Sequence, residues 1–184
     1  RPDYVPAKWV INSYEANDLR PTAIFKTRVT GYEHGLQWPL LSKYFGDSDF
    51  LNNNILHVHQ PTVFRLSEQY LIRAEAYAMK KDYGKAGKDI TTIRQARYST
   101  YGESNAMDVI AAERVKELYM EGFRLNDLKR WHKGFERKVA DQPAANFVQS
   151  NLKVEKDDPL FVWPIPQHEL ESPGSQIEPN ESNK

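Results

Sequence analysis

Between Leu66 and Ile93, apolar and small residues recur at helical spacing. Leu66, Tyr70, Ala74, Tyr77 and Ala78 form one stripe, Asp82 interrupts it, and Tyr83, Ala86, Ile90 and Ile93 form a second. Residues three and four apart share a helix face. The pattern therefore predicts a two-helix hairpin with Tyr70, Ala74, Tyr77, Ala86, Ile90 and Ile93 as its interior. After a loop over Gly102 to Asn105, a third helix is predicted from about Ala106 to Met120, with Ser104 or Asn105 as its cap and Gly122 as its terminator. A short helix over Arg124 to Trp131 follows.

On either side this periodicity fades. Arg1 to about Gln60 scatters Pro, Gly, Asn and aromatic residues, and only Ala23 to Val29 reads as a short strand. From Ala140 onward Pro, Asn, Gln and acidic residues dominate, with one apolar island at Leu160 to Ile165. Prolines at 159, 164 and 166 forbid a helix there, which predicts an extended segment lying back on the core. The tail SPGSQIEPNESNK is expected to be irregular and to fray at its end. The predicted fold is mainly α: a helical hairpin plus further helices, with long irregular loops and room for a small sheet. Its organisation is a loop-rich segment over 1–60, a helical core over 61–139 and an extended C-terminal segment over 140–184.

The hairpin spacing fits one tetratricopeptide unit. Tyr70 takes its first aromatic position, Ala74 and Ala86 its small residues, Tyr77 its tyrosine and Ile90 the following large apolar place. Arg73 stands where that repeat has Leu, and Tyr98 where it often ends in Pro. A single hairpin cannot bury both of its faces, and repeat arrays need about three units for stability. No second copy of the pattern is present, so other helices must complete the packing.

Charge and composition narrow the function. Lys+Arg 25 against Asp+Glu 25 gives no net charge with which to attract nucleic acid phosphates. With no cysteine there is neither disulfide nor thiolate chemistry. No apolar run approaches the ~20 residues that span a bilayer. Ten Tyr and four Trp make an otherwise polar chain aromatic, and aromatic faces are what sugar rings stack on. Within the loop-rich segment Trp9, Tyr14, Tyr32, Trp38 and Tyr44 are the candidate ligand contacts, because loops on a rigid scaffold carry binding residues. Packing of those rings onto the helices is the competing reading.

Glu113, Glu117 and Glu121 recur every four residues and so share a helix face. A glycosidase needs two carboxylates flanking a scissile bond ~5 to 10 Å apart in a cleft, usually on different elements. Three on one helix do not meet that need, and with Arg114, Arg124, Asp127 and Arg130 nearby they read as a structural ion-pair network. His57 and His59 lack a third ligand in a chain without Cys, so no metal site is assigned. Asp47, Asp49 and Asn52 to Asn54 lack the spacing of a calcium loop and read as a polar turn. No phosphate loop, nucleophile elbow or nucleotide fingerprint appears, and no cofactor is implied.

RLSEQYLIRAEAY at Arg65 to Tyr77, Glu113-Arg114, Glu117-Leu118, Glu121-Gly122, Arg124, Asp127-Leu128, Arg130-Trp131 and the late Pro164 to Pro166 stand in an order that resembles the C-terminal half of the SusD/RagB family. The likeness runs from about Asp18 to the end of the chain. That family comprises surface-exposed, lipid-anchored nutrient-binding proteins of Bacteroidetes that work with TonB-dependent transporters. The resemblance implies a non-enzymatic protein of the outer membrane that binds an oligosaccharide or another small nutrient. Its implied partners are a SusC-like transporter and the N-terminal half of the same protein, with the lipid-bearing Cys in that half. A helical-repeat adaptor for a protein partner is the alternative, and an α-helical glycoside hydrolase is the least favoured reading.

Overall fold

A computed structural model describes residues 5–31, 35–44, 46–55, 58–98, 107–142 and 152–183. Among these residues the chain is mainly helical: α1 (Lys8–Ile11), α2 (Arg20–Ile24), α3 (Ser48–Leu51), α4 (Leu66–Met79), α5 (Tyr83–Arg97), α6 (Met107–Glu117), α7 (Arg124–Arg130) and α8 (Gln167–Leu170). Two antiparallel two-stranded sheets accompany them, β1 (Phe25–Val29) with β2 (Gln37–Leu41) and β3 (Phe135–Arg137) with β4 (Leu152–Val154). The chain divides into two compact units, Arg1–Glu121 with Asp141–Ala144, and Gly122–Ala140 with Ala145–Lys184. Residues of the expected 61–139 core are thus shared between them.

In the first unit α4 and α5 form the predicted hairpin, and α6 packs on α4. Asp82 caps α5 by accepting from the Lys85 amide at 3.2 Å, which is why the periodic run breaks there. Ala74, Ala78, Ala86, Ile90 and Ile93 are buried, as is Ile110 of α6. The α4 stripe nevertheless lies about one position away from the expected one. Leu71 is fully buried, whereas Tyr70 and Tyr77 are half-buried and Leu66 and Tyr83 are exposed. Their rings stand at the flank of the hairpin, Tyr70 under Arg73 and Tyr77 under Lys85. Because α4 must meet both α5 and α6, the inward face is the one carrying Leu71, Ala74, Glu75 and Ala78. Arg73, in the place of the repeat's Leu, clamps Asp89 of α5 in a two-point pair at 2.8 and 2.7 Å.

The N-terminal segment is more regular than its sequence pattern indicated. Ala23 and Ile24 close α2, which has a proline in its first turn, so the strand begins only at Phe25. Its partner β2 was missed because Pro39 sits in its middle, opposite Thr27. A two-stranded ribbon has free edges, and a proline whose missing N–H would point outward is tolerated there. Val10, Ile24 and Phe25 form a small core with Tyr14 and Tyr119. Asp18 bridges Tyr98, and the Leu19 amide donates to the Arg97 carbonyl at 2.8 Å, tying this segment to the end of α5.

The third predicted helix is α6; its expected start at Ala106 and the Ser104 or Asn105 cap lie outside the described residues. The chain leaves it through Met120 at φ 60°, two residues before Gly122 at φ 83°. In the second unit Leu128, Val154 and Phe161 make a core flanked by Phe135. Only Phe161 of the apolar island is buried. Leu160, Val162 and Trp163 are exposed, the last at 83%, so most of the island does not lie on a core. Nor does the tail fray at Asn180 to Asn183. Asn183 donates to and accepts from the Ile165 backbone at 2.9 and 3.0 Å, and Asn180 Nδ2 donates to the Trp163 carbonyl at 2.9 Å. Side-chain bonds to a proline-rich segment supply what its backbone cannot.

Candidate functional site

The most charged region of the first unit is buried. Arg20 pairs with Asp18 at 2.7 Å and with Glu113 at 2.9 Å, and donates to the Tyr98 hydroxyl at 2.7 Å. That hydroxyl in turn donates to Glu113 at 2.8 Å. Glu117 receives Arg97 at 3.0 and 2.9 Å and Arg65 at 2.7 Å. Glu121 receives Arg65 at 2.9 and 3.0 Å together with the Lys43 ammonium. Lys43 also donates to the Glu117 carbonyl at 2.8 Å.

The cations around the three glutamates therefore come from Arg20, Lys43, Arg65, Arg94 and Arg97. Arg114 reaches Glu75 at 3.9 Å, and Arg130 pairs with Asp127 at 2.8 Å within the second unit. Arg124, also in that unit, has its pKa drawn down by burial against the opposing charge of Asp127. Arg20 and Arg65 each stood in a recognisable stretch, DLR and RLSEQY, but nothing local pairs them with residues 52 to 97 positions away.

Burial alone would push the Glu117 carboxyl up; hydrogen bonds from Arg97 and Arg65 reverse that and hold it well below the usual carboxylate range. Glu121 behaves in the same way through Arg65 and Lys43. Burial pulls the Lys43 ammonium down against the attraction of Glu121. The ionised carboxylate decides the state of this pair, since donors from two cations converge on it. Carboxylates held in this form have no proton to give at neutral pH, as a glycosidase acid must.

Beside this network is an open cleft of about 570 Å³ lined by Lys26, Ser42, Tyr44, Asp47, His59 and Gln60. A cleft of that size suits a small ligand. Its walls come from β1, the turn after β2, α3 and the segment leading to α4. Tyr44 adopts φ 64° at the turn, and its ring stacks parallel to that of His59, with centroids 5.3 Å apart and planes 10° apart. The Asp47 side chain caps α3 by accepting from the Asp49 amide at 2.9 Å, and the Asp47 amide donates to the Val58 carbonyl at 2.8 Å. The two sides of the cleft are thereby joined.

Of the aromatic candidates among the described residues, Tyr44 is the one that lines this cleft. Trp38 is half-buried and donates its indole N–H to the Pro6 carbonyl at 2.8 Å. Tyr14 is half-buried, donates to the Lys116 carbonyl at 3.0 Å and packs edge-on against Phe25. Trp9 stands on α1 at 43% exposure, and Tyr32 lies outside the described residues. His59 and Gln60 were not singled out as ligand contacts; only the tertiary stack gives His59 that position. His57 is also outside the described residues. Among those described, no group of three or more His, Asp or Glu could hold a metal ion, and no helix is long and apolar enough to cross a membrane.

The SusD family model matches residues 26–180. The chain belongs to the SusD family. A solved structure of a SusD-like carbohydrate binding protein from Bacteroides vulgatus shares its fold, with a TM-score of 0.57 at 22% identity, over 82% of this chain and 32% of that one. The chain thus spans about a third of the length of that SusD relative. No curated protein matches it.

Proposed function

We propose that this SusD-family chain is part of a cell-surface protein that binds a nutrient, an oligosaccharide above all, without transforming it. In this reading the protein is held at the outer membrane by a lipid on a Cys elsewhere in a longer chain. It delivers its ligand to a SusC-like TonB-dependent transporter, and residues outside this chain contribute to the complete site. The observation that carries the reading is the parallel Tyr44–His59 stack in the cleft. It offers a flat apolar face for a sugar ring, while Lys26, Asp47 and Gln60 offer donors and acceptors for hydroxyls. Trp9, Tyr14, Tyr32 and Trp38 stay in the proposal as further contacts, with Tyr14 and Trp38 presenting what their backbone hydrogen bonds leave free.

Calorimetric titration of the chain with maltoheptaose, xylohexaose and mannohexaose tests this. At least one is expected to bind, and Tyr44→Ala to weaken it roughly 3- to 10-fold, the scale of one aromatic contact. Binding unaffected by that substitution would move the site away from the cleft. Turnover of any of the three sugars would contradict the binding role.

A further inference from the structure

The ribbon of β1 and β2 has two unlike faces. Lys26 and Arg28 stand two residues apart on β1 and so share a face, and their cross-strand partners Leu40 and Trp38 share it with them. Phe25 belongs to the other face and is buried in the small core with Val10 and Ile24. Beyond Leu40 on the first face comes Ser42, whose amide continues the ladder by donating to the Ile24 carbonyl at 2.6 Å. Lys26 and Ser42 both line the cleft that holds the Tyr44–His59 stack. One ribbon face therefore leads from Arg28 and Trp38, past Lys26, into the cleft.

The two cations on this face are exposed, and among the described residues neither makes a hydrogen bond or an ion pair. Their neighbours differ: Lys43, Arg65 and Arg97 are all held by Glu117 or Glu121. Across the ribbon stand Trp38, Leu40 and Ser42, so no acid answers them there. Asp47 is the carboxylate of the cleft wall, and one of its oxygens is taken by the Asp49 amide at 2.9 Å. Two like charges side by side repel, and a bound anion would relieve both. Ser42 adds a buried Oγ with no hydrogen-bond partner among the described residues. Turning that hydroxyl toward a ligand would break no bond.

Cations alone would suit any polyanion. Here they lie beside a parallel ring stack and the half-buried Trp38, which offer apolar faces to sugar rings. The whole chain, with Lys+Arg 25 against Asp+Glu 25, has no net field to draw in a nucleic acid or an anionic membrane. Along the strand Lys26 and Arg28 are roughly 6–7 Å apart, about the length of one sugar unit. The Arg28 guanidinium also presents a fork that matches a planar carboxylate.

We propose that the ligand is an acidic oligosaccharide: one ring lies on the Tyr44–His59 stack with its negative group at Lys26, and the next unit places its own at Arg28 beside Trp38. Resting on the binding reading given above, this narrows the ligand to sugars that carry a ring carboxylate or a sulfate ester.

Calorimetric titration of the chain with hexagalacturonate, its methyl ester and a κ-carrageenan hexasaccharide separates charge from shape and carboxylate from sulfate. At least one of the two acidic sugars is expected to bind roughly 10-fold or more tighter than the methyl ester, maltoheptaose, xylohexaose or mannohexaose. The tighter of the two identifies the anionic group. Raising salt from about 50 to about 500 mM should erode that advantage. Lys26→Gln and Arg28→Gln, both at exposed positions, should keep the melting temperature. Each should weaken the acidic sugar roughly 3- to 10-fold and leave neutral sugars unaffected.

A neutral sugar bound as tightly as the acidic ones, or acidic affinity indifferent to both substitutions, would overturn the proposal while the binding reading stands. Equal affinity for a single-stranded oligodeoxynucleotide of the same charge would make this face a general polyanion surface and overturn it too. No binding of any of these sugars would overturn the proposal and the binding reading together.

Discussion

Arg97 and Glu117 meet fork to fork, Arg97 Nε to one carboxylate oxygen at 3.0 Å and Nη2 to the other at 2.9 Å. This pair joins the last turn of α5 to the last residue of α6, with Arg65 from the start of the hairpin closing on the same carboxylate. A two-point pair fixes direction as well as distance. It therefore sets how α6 lies against the hairpin, even where its net contribution to stability is small.

Glu117→Gln keeps the shape of the side chain and removes its charge, leaving Arg65 and Arg97 short of a counter-ion in a buried setting. The expected loss is about 3 kcal/mol, at the lower end of the range for breaking a buried pair because both arginines retain some contact with water. Urea unfolding at neutral pH measures it; a loss within error of zero would mean that the network merely decorates the fold.

Acid should weaken the first unit. Folded Glu117, Glu121 and Glu15 all have pKa values below the ordinary 4.5, so their contribution is complete above that pH. As the pH falls below it the unfolded chain takes up protons first, and stability declines. Glu117→Gln should make the decline between pH 5 and pH 3 shallower than in the wild type. An unchanged slope would separate the carboxyl from acid stability.

Leu71→Ala and Ile90→Ala should each cost about 2–5 kcal/mol, because both side chains are fully buried between α4 and its neighbours. Tyr77→Ala should cost less, since that ring is half-buried at the flank. Thermal unfolding of the three variants gives the order. A larger loss at Tyr77 than at Leu71 would restore the stripe read from spacing alone.

The outer side of α4 carries Ile72 and Met79, the latter 65% exposed, with Tyr83 beyond them at the start of α5. An apolar stripe of this kind favours association. The chain is expected to self-associate at high concentration, and Ile72→Glu with Met79→Lys to reduce this in sedimentation velocity. A monomer at all concentrations would show that the stripe is too small to act.

Gly134 is required for close approach. A Cβ there would lie 2.2 Å from the Val154 carbonyl oxygen, which is backbone and cannot swing aside. Gly134→Ala should destabilise the β3–β4 ribbon by roughly 1–3 kcal/mol, with amide exchange at Phe135 and Val154 accelerated first. Unaltered exchange would mean that the ribbon shifts without cost.

What the sequence determined by itself was local. Helical spacing, the Asp82 cap and the proline pattern belong to neighbours along the chain, so α4, α5, α6 and α7 were legible to within a few residues, as was the family through its ordered Glu and Arg positions. Tertiary structure decided which face of each helix turned inward: Leu71 rather than Tyr70 is buried because α4 packs on α6 as well as α5. It also decided that β2 forms despite Pro39, because an unpaired edge tolerates a missing donor. The partners of Glu113, Glu117 and Glu121 come from up to 97 positions away, beyond any periodic rule. The role proposed for Tyr44 likewise depends on His59, fifteen residues on, coming to lie parallel to it at 5.3 Å, which required the folded turn and no property of either residue alone.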